Sequence, residues 1–308
     1  MLLKIVSVIA SVILLFTSSQ AVPDKPYVLV EVLENLSESR TADEINGANG
    51  TRFYVQRPKA DNFTVVNAAD FGLSQSNEDN YAAFQRALNF CARNPQTKLV
   101  IDKGTYYFRT EGGLDLNGCT DLLIEGNSAT FILSSTGYNF FIRNSDCVEI
   151  RNLNFDWNWE ESPLASVVTV QNADADKNTL DLVFRDAEYC NENCRFMAIT
   201  QCDPETFTFG AKCSSNEVYF YQDGTNIQSV QKLSDDTLRV THNGCMGNFE
   251  NGETYILRHY VYNGTVFNIR NGSKNVTFNN VDIYGSTGMA YICEDNCSHF
   301  QIIDSFIG

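Results

Sequence analysis

The chain has 308 residues, of which 22 are basic and 38 acidic, and its formal net charge is -16. This excess of negative charge repels phosphate backbones and anionic membrane surfaces, so nucleic acid is not an expected partner. Strongly anionic polymers are disfavoured for the same reason, and neutral ligands fit the charge better.

The first 21 residues are a predicted secretory signal peptide. An apolar run from Ile5 to Phe16 is followed by Ser19 and Ala21, which are spaced for signal-peptidase cleavage. The run is shorter than the about 18 to 20 residues that a spanning helix needs, and no later segment is long and apolar enough to span. We therefore expect a secreted, extracellular protein without a membrane span.

Seven N-x-S/T sequons without a central proline predict a glycoprotein. They are Asn35, Asn49, Asn62, Asn263, Asn271, Asn275 and Asn296. Together with the signal peptide, these sequons favour a eukaryotic secretory route and an oxidising compartment.

Ten cysteines, an even number in a chain expected to be secreted, predict disulfide bonds. Plausible local pairs are Cys190–Cys194, Cys202–Cys213 and Cys293–Cys297, although the spacing does not fix the connectivity. Zinc binding is the alternative role for these cysteines, but no C-x2-C pair or paired histidines accompany them. We therefore expect no metal site.

The segment 22–61 holds one strand-like run and then a polar stretch from Asn35 to Gly50. This composition predicts a loosely ordered leader.

A β-α-β pattern opens the segment 62–156. Apolar residues from Tyr81 to Cys91 recur at helical spacing, which predicts one short amphipathic helix between strands. Strands are predicted after it at Leu99–Ile101 and Thr105–Phe108.

An internal repeat then predicts a solenoid of stacked coils. Its columns hold Leu122, Val148, Val276 and Phe300; Ile124, Ile150, Phe278 and Ile302; Gly126, Asn152, Asn280 and Asp304; and Phe155, Ile283 and Ile307. Successive copies lie 26 residues apart from Leu122 to Val148 and 24 apart from Val276 to Phe300. Alternation turns the apolar residues inward, and asparagines at the turns are expected to form hydrogen bonds from coil to coil.

Residues 157–258 interrupt this period with short strands separated by turn residues, which predicts an inserted antiparallel β-subdomain. Its Asn172–Asn178 turn has the acidic spacing of a calcium loop, but Lys177 replaces the glycine and Val183 the glutamate. A hairpin turn is therefore predicted. Residues 259–308 are predicted to form further coils that end without a cap.

The motifs Asp70-Phe71-Gly72, Asp79, Ala82–Gln85 and IDKGTYYF are similar to the N-terminal cap of the pectate-lyase-like superfamily. In that family a helix covers the open end of the solenoid, where core and strand edges would otherwise face water. The resemblance implies an all-β fold: a right-handed single-stranded parallel β-helix with an N-terminal capping helix and the inserted antiparallel β-subdomain.

Leu257-Arg258-His259, Tyr262 and the stretch NVTFNNVDIYGSTGMAY from Asn275 resemble the α-1,3-galactosidase family of inverting glycoside hydrolases, which remove terminal galactose. With the cap, this resemblance covers most of residues 62–308 and implies a poly- or oligosaccharide partner. The Gly-Asp-Asp type segment in which the family's catalytic aspartates are expected is absent, and the chain stops within a repeat. We therefore expect an incomplete or inactive catalytic domain.

Asp156 and Asp282 are the candidate acid and base. The repeat places them outward on adjacent coils, about 8 Å apart between backbones, and inverting glycosidases hold their carboxyls roughly 6.5 to 9.5 Å apart. Solvated aspartates on a strand face are the alternative interpretation. Further candidates for sugar contact, with aromatic, acidic or basic side chains, are Trp157, Trp159, Glu160, Arg258, Tyr262 and Tyr284. The two tryptophans could instead pack the insertion against the solenoid.

No phosphate-binding loop, nucleophile elbow or His-Glu-x-x-His helix occurs, so no cofactor is expected. The scattered His242, His259 and His299 are expected to be surface or turn residues. The sequence therefore predicts a secreted carbohydrate-active protein of the α-galactosidase type that binds neutral glycans. The alternative is a secreted glycan-binding or surface-interaction module without catalysis.

Overall fold

A computed structural model of the protein describes residues 28–209, 217–220, 226–243, 249–260 and 264–308. The predicted signal peptide, Cys213, Cys245, Tyr262 and Asn263 lie outside these ranges. The fold is all-β with parallel sheets and one α-helix within this part of the chain. None of the helices in the described ranges is long and apolar enough to cross a membrane.

Two parallel sheets carry most of the structure. The long parallel sheet has the order β20-β18-β9-β7-β4-β3, with β5 also paired to β7, and the short parallel sheet has the order β19-β17-β8-β6. The strands of the long sheet are β3 (Thr64–Asn67), β4 (Thr97–Val100), β5 (Thr105–Phe108), β7 (Thr120–Leu133), β9 (Asp146–Trp157), β18 (Lys274–Ile283) and β20 (Ser298–Ile303). Those of the short sheet are β6 (Leu114–Asn117), β8 (Tyr138–Arg143), β17 (Gly264–Arg270) and β19 (Gly288–Cys293). From β6 to β9 and again from β17 to β20 the chain alternates between the two sheets.

The strand register agrees with the repeat columns of the sequence. Val276 pairs with both Val148 and Phe300, and Leu122 pairs with Val148. Asn152 and Asn280 have φ angles of 54° and 53°, so each strand bends there in the left-handed region that asparagine tolerates. The Nδ2 of Asn280 donates to Oδ1 of Asn152 at 2.8 Å, which confirms the predicted hydrogen bond between stacked asparagines.

Aromatic side chains fill the space between the two parallel sheets. Phe155 of the long sheet meets Phe267 of the short sheet with ring centroids 5.1 Å apart, and Phe267 also meets Phe278 at 4.5 Å. The predicted helix is present as α1 (Tyr81–Arg93), and its Phe84 packs 5.2 Å from Phe131. The helix therefore belongs to the same hydrophobic core as both sheets.

A separate antiparallel sheet lies within the predicted insertion and has its own hydrophobic core. Its order is β13-β12-β16-β10-β11-β15-β14. Its strands are β10 (Ala165–Asp174), β11 (Thr179–Phe184), β12 (Ala198–Gln201), β13 (Glu217–Tyr219), β14 (Ile227–Lys232), β15 (Thr237–His242) and β16 (Thr254–Arg258). The acidic Asn172–Asn178 turn joins β10 to β11, which pair antiparallel as the predicted hairpin implies, and Lys177 binds Asp174 at 2.7 Å.

The segment 22–61 differs from the prediction of a loosely ordered leader. Within its described part, β1 (Arg40–Asn46) and β2 (Arg52–Pro58) form an antiparallel hairpin, here called the N-terminal hairpin. Arg57 pairs with Glu149, and Arg40 pairs with Asp121 and Asp146. The charged side chains of a segment whose composition suggested disorder therefore form ion pairs with strands of the long parallel sheet.

The predicted local disulfides are absent where the structure can show them. Cys190, Cys194, Cys293 and Cys297 carry free thiols, so neither C-x3-C pair is bridged. Cys91 and Cys119 are buried free thiols in the core, and burial raises the pKa of each to about 12. The proposed Cys202–Cys213 pair includes a residue outside the described ranges.

One predicted glycosylation site conflicts with the structure. Asn275 is only 5% exposed, its Oδ1 accepts from the backbone N–H of Gln56, and its Nδ2 donates to Asp146. The Asn275 side chain is thus enclosed under the N-terminal hairpin. The sequon asparagines on the surface of the described ranges are Asn35, Asn49, Asn62, Asn271 and Asn296.

Candidate functional site

Two of the predicted site residues meet on adjacent strands of the long parallel sheet. Past the bends at Asn152 and Asn280, Asn154 pairs with Asp282, and the N–H of Tyr284 donates to the carbonyl of Phe155 at 2.8 Å. Asp156 and Tyr284, two positions beyond Asn154 and Asp282, are therefore neighbours across the two strands. Period-2 alternation explains why their side chains lie on the solvent side while Phe155 and Ile283 are buried.

The carboxylate of Asp282 is held by two donors. The hydroxyl of Tyr284 donates to Oδ2 at 3.2 Å, and the backbone N–H of Phe306 donates to Oδ1 at 2.9 Å. The charge of Asp282, this hydrogen bond and the charge of Asp156 raise the pKa of Tyr284. Because both aspartates raise its pKa, Tyr284 stays a neutral phenol.

The carboxylate of Asp156 accepts hydrogen bonds from the residues that follow it in sequence. Its Oδ1 accepts from the backbone N–H of Trp157 at 2.7 Å and from the indole N–H of Trp159 at 3.3 Å. Gly285 packs close by, since a Cβ there would lie 3.2 Å from the same oxygen. Among the described residues neither Asp156 nor Asp282 forms an ion pair.

Exposed aromatic rings surround this pair of carboxylates. Trp159 is 43% exposed and Tyr284 49%, and the Tyr284 ring lies 5.6 Å from that of Phe306. We call Asp156, Trp159, Asp282, Tyr284 and Phe306 the outer strip. Its carboxylates can accept hydrogen bonds from hydroxyl groups, and its rings offer apolar faces for stacking.

The remaining predicted residues lie elsewhere. Trp157 is 2% exposed and belongs to the core, with its indole N–H donated to the carbonyl of Ser162, so packing rather than surface contact explains it. Glu160 lines a cavity beside the insertion. Arg258 ends β16 and lies over the rings of Tyr219 and Tyr260, at 5.5 and 5.6 Å. Arg258 therefore belongs to the antiparallel sheet, and Tyr262 lies outside the described residues.

Sequence reasoning missed two residues. The repeat could have indicated Phe306, because the bridge between Ile283 and Ile307 places Phe306 beside Asp282. His259 was expected at the surface or in a turn, and its side chain is half-buried and lines the cavity. Its Nε2 meets the Ser166 hydroxyl at 2.9 Å and its Nδ1 meets the Arg195 carbonyl at 2.8 Å. No local sequence signal brings these three residues together.

The described part of the chain contains no cluster of three or more side chains suited to a metal ion. The outer strip itself offers carboxylates, a tyrosine hydroxyl and aromatic faces.

Comparison with known proteins gives two distant relatives, and no family model matches the chain. The chain is 24% identical over 203 residues to alpha-1,3-galactosidase B of Bacteroides thetaiotaomicron, a match covering 56% of this chain and 32% of that protein. It is 25% identical over 154 residues to alpha-1,3-galactosidase A of Shewanella woodyi, covering 44% of this chain and 25% of that protein. The matches thus span a third or less of the curated relatives, and they support a glycoside hydrolase-like relationship.

Proposed function

We propose that the chain is a secreted, glycoside hydrolase-like protein that binds neutral glycans ending in galactose through the outer strip. The observation that carries this proposal is the pair of carboxylates near Tyr284, which form no ion pair with any described residue and are bordered by the exposed ring of Trp159. Hydroxyl-rich ligands need such acceptors, and sugar rings present apolar faces to aromatic side chains. The distant similarity to two alpha-1,3-galactosidases supports a galactoside as the ligand.

The proposed scaffold is a right-handed single-stranded parallel β-helix. The alternation of the chain between two parallel sheets and the repeated register across β7, β9, β18 and β20 support one coil per repeat. Crossovers between parallel strands of one sheet are right-handed in about 98% of cases. On this scaffold each new coil adds one outward row, so residues of successive coils form a continuous surface.

Hydrolysis with inversion is the activity proposed for the strip. Strand spacing and a two-residue offset separate the backbones of Asp156 and Asp282 by about 8 Å, near the roughly 6.5 to 9.5 Å between carboxyls that leaves room for a water. One carboxyl would protonate the leaving oxygen while the other removes a proton from the attacking water. The pair is open to solvent, so a substrate and a water can both reach it.

A galactoside-binding module without turnover is the second candidate. It is favoured by the hydrogen bonds that both carboxylates already make, Asp156 with the N–H of Trp157 and Asp282 with the N–H of Phe306. These bonds engage Oδ1 of each carboxylate as a hydrogen-bond acceptor before any ligand arrives. Binding and turnover must therefore be measured separately.

The experiment is calorimetric titration of the purified chain with an oligosaccharide that ends in α-1,3-linked galactose, in parallel with an assay for released galactose. We expect saturable binding that Trp159→Ala weakens roughly five- to tenfold, because a stacked ring contributes on the order of 1 kcal/mol. Tyr54→Ala, an aromatic change on the N-terminal hairpin, serves as the matched control and leaves binding unchanged.

The assay for released galactose separates the two candidates. Turnover that disappears in both Asp156→Asn and Asp282→Asn supports the hydrolase, and binding without any release of galactose supports the module. No saturable binding, or binding that Trp159→Ala leaves intact, would overturn the assignment of the outer strip.

A further inference from the structure

A cavity of about 570 Å³ lies between the turn that follows β9 and the loop before β12. Glu160 and Glu161 line it from the turn, and Glu188, Tyr189 and Arg195 line it from the loop. Small-molecule sites in proteins have volumes of roughly 300 to 1,000 Å³. The cavity is therefore large enough for one sugar-sized ligand, and it is separate from the outer strip.

Carboxylates outnumber cations among the residues that line the cavity. Glu161 is already neutralised, because Arg109 donates to its Oε2 at 3.0 Å. Neither Glu160 nor Glu188 has an ion-pair partner within the part of the chain that the structure describes. Arg195 is the one permanently charged cation among the lining residues. The lining thus contains two carboxylates without an ion-pair partner among the described residues, and one arginine.

The other titratable lining groups add no charge. The Arg195 carbonyl can only accept, so Nδ1 of His259 carries the hydrogen and Nε2 accepts from the hydroxyl of Ser166. Burial lowers the pKa of His259, which keeps the imidazole neutral near pH 7. Burial also raises the pKa of Cys194 to about 12, so its thiol, 3.1 Å from Nδ1, remains protonated. Apart from Arg195, the unpaired charge at the cavity therefore comes from Glu160 and Glu188.

The walls also suit a ligand that is partly apolar and partly polar. Burial, and then the charges of the nearby Glu188 and Glu160, raise the pKa of Tyr189, whose ring is half-buried. An aromatic face beside carboxylates attracts cations through both the ring quadrupole and the charge. The amides of Asn191 and Asn193 offer donors and acceptors for hydroxyl groups at the same rim.

We propose that this cavity binds a small hydroxylated ammonium ligand, a protonated amino sugar being the simplest example. The ammonium group lies between Glu160 and Glu188 against the ring of Tyr189, and the hydroxyl groups meet the asparagine amides. This site is independent of galactoside binding at the outer strip, because the two surfaces share none of these residues.

The test is calorimetric titration of the full chain with glucosamine, N-acetylglucosamine and glucose, below the pKa of the glucosamine amine. Glucosamine is expected to bind at least tenfold more tightly than the other two, which lack the charge. Its affinity falls as sodium chloride is added, because salt screens the attraction. Glu160→Gln and Glu188→Gln each weaken binding, and the double variant removes the preference for glucosamine.

Two controls make the result specific. Asp235→Asn removes an exposed carboxylate from the turn between β14 and β15 and leaves the affinity for glucosamine unchanged. Trp159→Ala, which tests the outer strip, also leaves it unchanged. Because Glu160 and Glu188 are exposed, their variants keep the fold, which near-ultraviolet circular dichroism checks. Equal affinity for all three sugars, or glucosamine binding that survives the double variant, would overturn the proposal.

Discussion

Arg57 and Glu149 form a two-bond ion pair that fastens the N-terminal hairpin to the long parallel sheet. Nη2 of Arg57 lies 2.7 Å from Oε1 of Glu149, and Nε lies 3.1 Å from Oε2. The Glu149 side chain is 2% exposed and that of Arg57 is 19% exposed. The hairpin thus covers an acidic group that would otherwise face outward from the sheet.

Arg57→Leu is expected to destabilise the protein by about 3 kcal/mol, because it leaves the buried Glu149 without its main cation. Arg57→Leu with Glu149→Leu should recover part of this loss, since no charge then remains buried. Urea unfolding followed by fluorescence measures both. The exposed Arg93→Leu is the control and changes stability by less than about 0.5 kcal/mol. A loss of similar size in the double variant would show that packing, rather than the ion pair, holds the hairpin.

The bend at Asn280 predicts a difference between two substitutions. Asn280→Ala places an alanine at a φ of 53° and removes the hydrogen bond to Asn152. It should cost roughly 2 kcal/mol, about half from the backbone and half from the hydrogen bond. Asn280→Gly removes only the hydrogen bond, because glycine adopts positive φ freely, and should cost about 1 kcal/mol. Thermal unfolding of both variants distinguishes the two causes, and equal losses would contradict this division.

Gly126 sits where the long strand β7 passes closest to β9. A Cβ at this position would lie 2.4 Å from the carbonyl oxygen of Asn152 and 2.8 Å from Cβ of Leu153. Gly126→Ala should therefore destabilise by about 1 to 3 kcal/mol, since backbone cannot move away as a flexible side chain can. Gly137→Ala, where the nearest atom is 3.9 Å away, is the matched control with little effect. Similar melting temperatures for the two variants would argue against close strand contact.

The antiparallel sheet should be sensitive to acid through Asp181. Two hydrogen bonds from Arg239, at 2.6 and 2.7 Å, lower the pKa of Asp181 below its ordinary value. A lowered folded-state pKa stabilises the protein above the unfolded value of about 3.9, and this stability is lost as the pH falls through the folded-state pKa. Asp181→Asn should cost roughly 2 kcal/mol near pH 7 and flatten the decline in acid. Unfolding curves across this pH range test it, with the exposed Asp235→Asn as control.

Glycan occupancy is expected to differ between neighbouring sequons. Asn271 and Asn296 are exposed, whereas Asn275 is bonded to Gln56 and Asp146 beneath the N-terminal hairpin. After expression in a eukaryotic secretory system, mass spectrometry should find glycans at Asn271 and Asn296 and an unmodified Asn275. A glycan on Asn275 in folded protein would contradict the docking of the hairpin.

The sequence predicted the parts of the fold that depend on local periodicity. The pairing of Val148 with Val276 follows from period-2 alternation repeated at a fixed spacing, and α1 follows from apolar residues at helical spacing. The hairpin could not be predicted in the same way, because Arg40 and Arg57 are paired by residues distant in sequence. Composition shows that the segment is charged, but it does not show which residues those charges pair with.

The candidate site shows the same division. The neighbourhood of Asp156 and Asp282 was predictable from the repeat, because both stand in outward columns of one sheet. The separation of Trp157 from Trp159 was not, because one is inward and core-bound while the other follows the strand end in a turn. The contacts of His259 with Ser166 and Arg195 were also not predictable. These residues come near His259 only because β10 and β12 pair with β16.

The contacts of the N-terminal hairpin also set an order of events during folding. Gln56 of the hairpin bonds Asn275, 219 positions later in the chain, and Glu31, which precedes the hairpin, contacts His299, 268 positions later. Synthesis proceeds from the N-terminus, so the hairpin segment leaves the ribosome long before the strands that receive it exist. Contacts at such sequence separation close slowly. The first described strands of the chain are therefore among the last to dock, and until then the Glu149 carboxylate remains open to solvent.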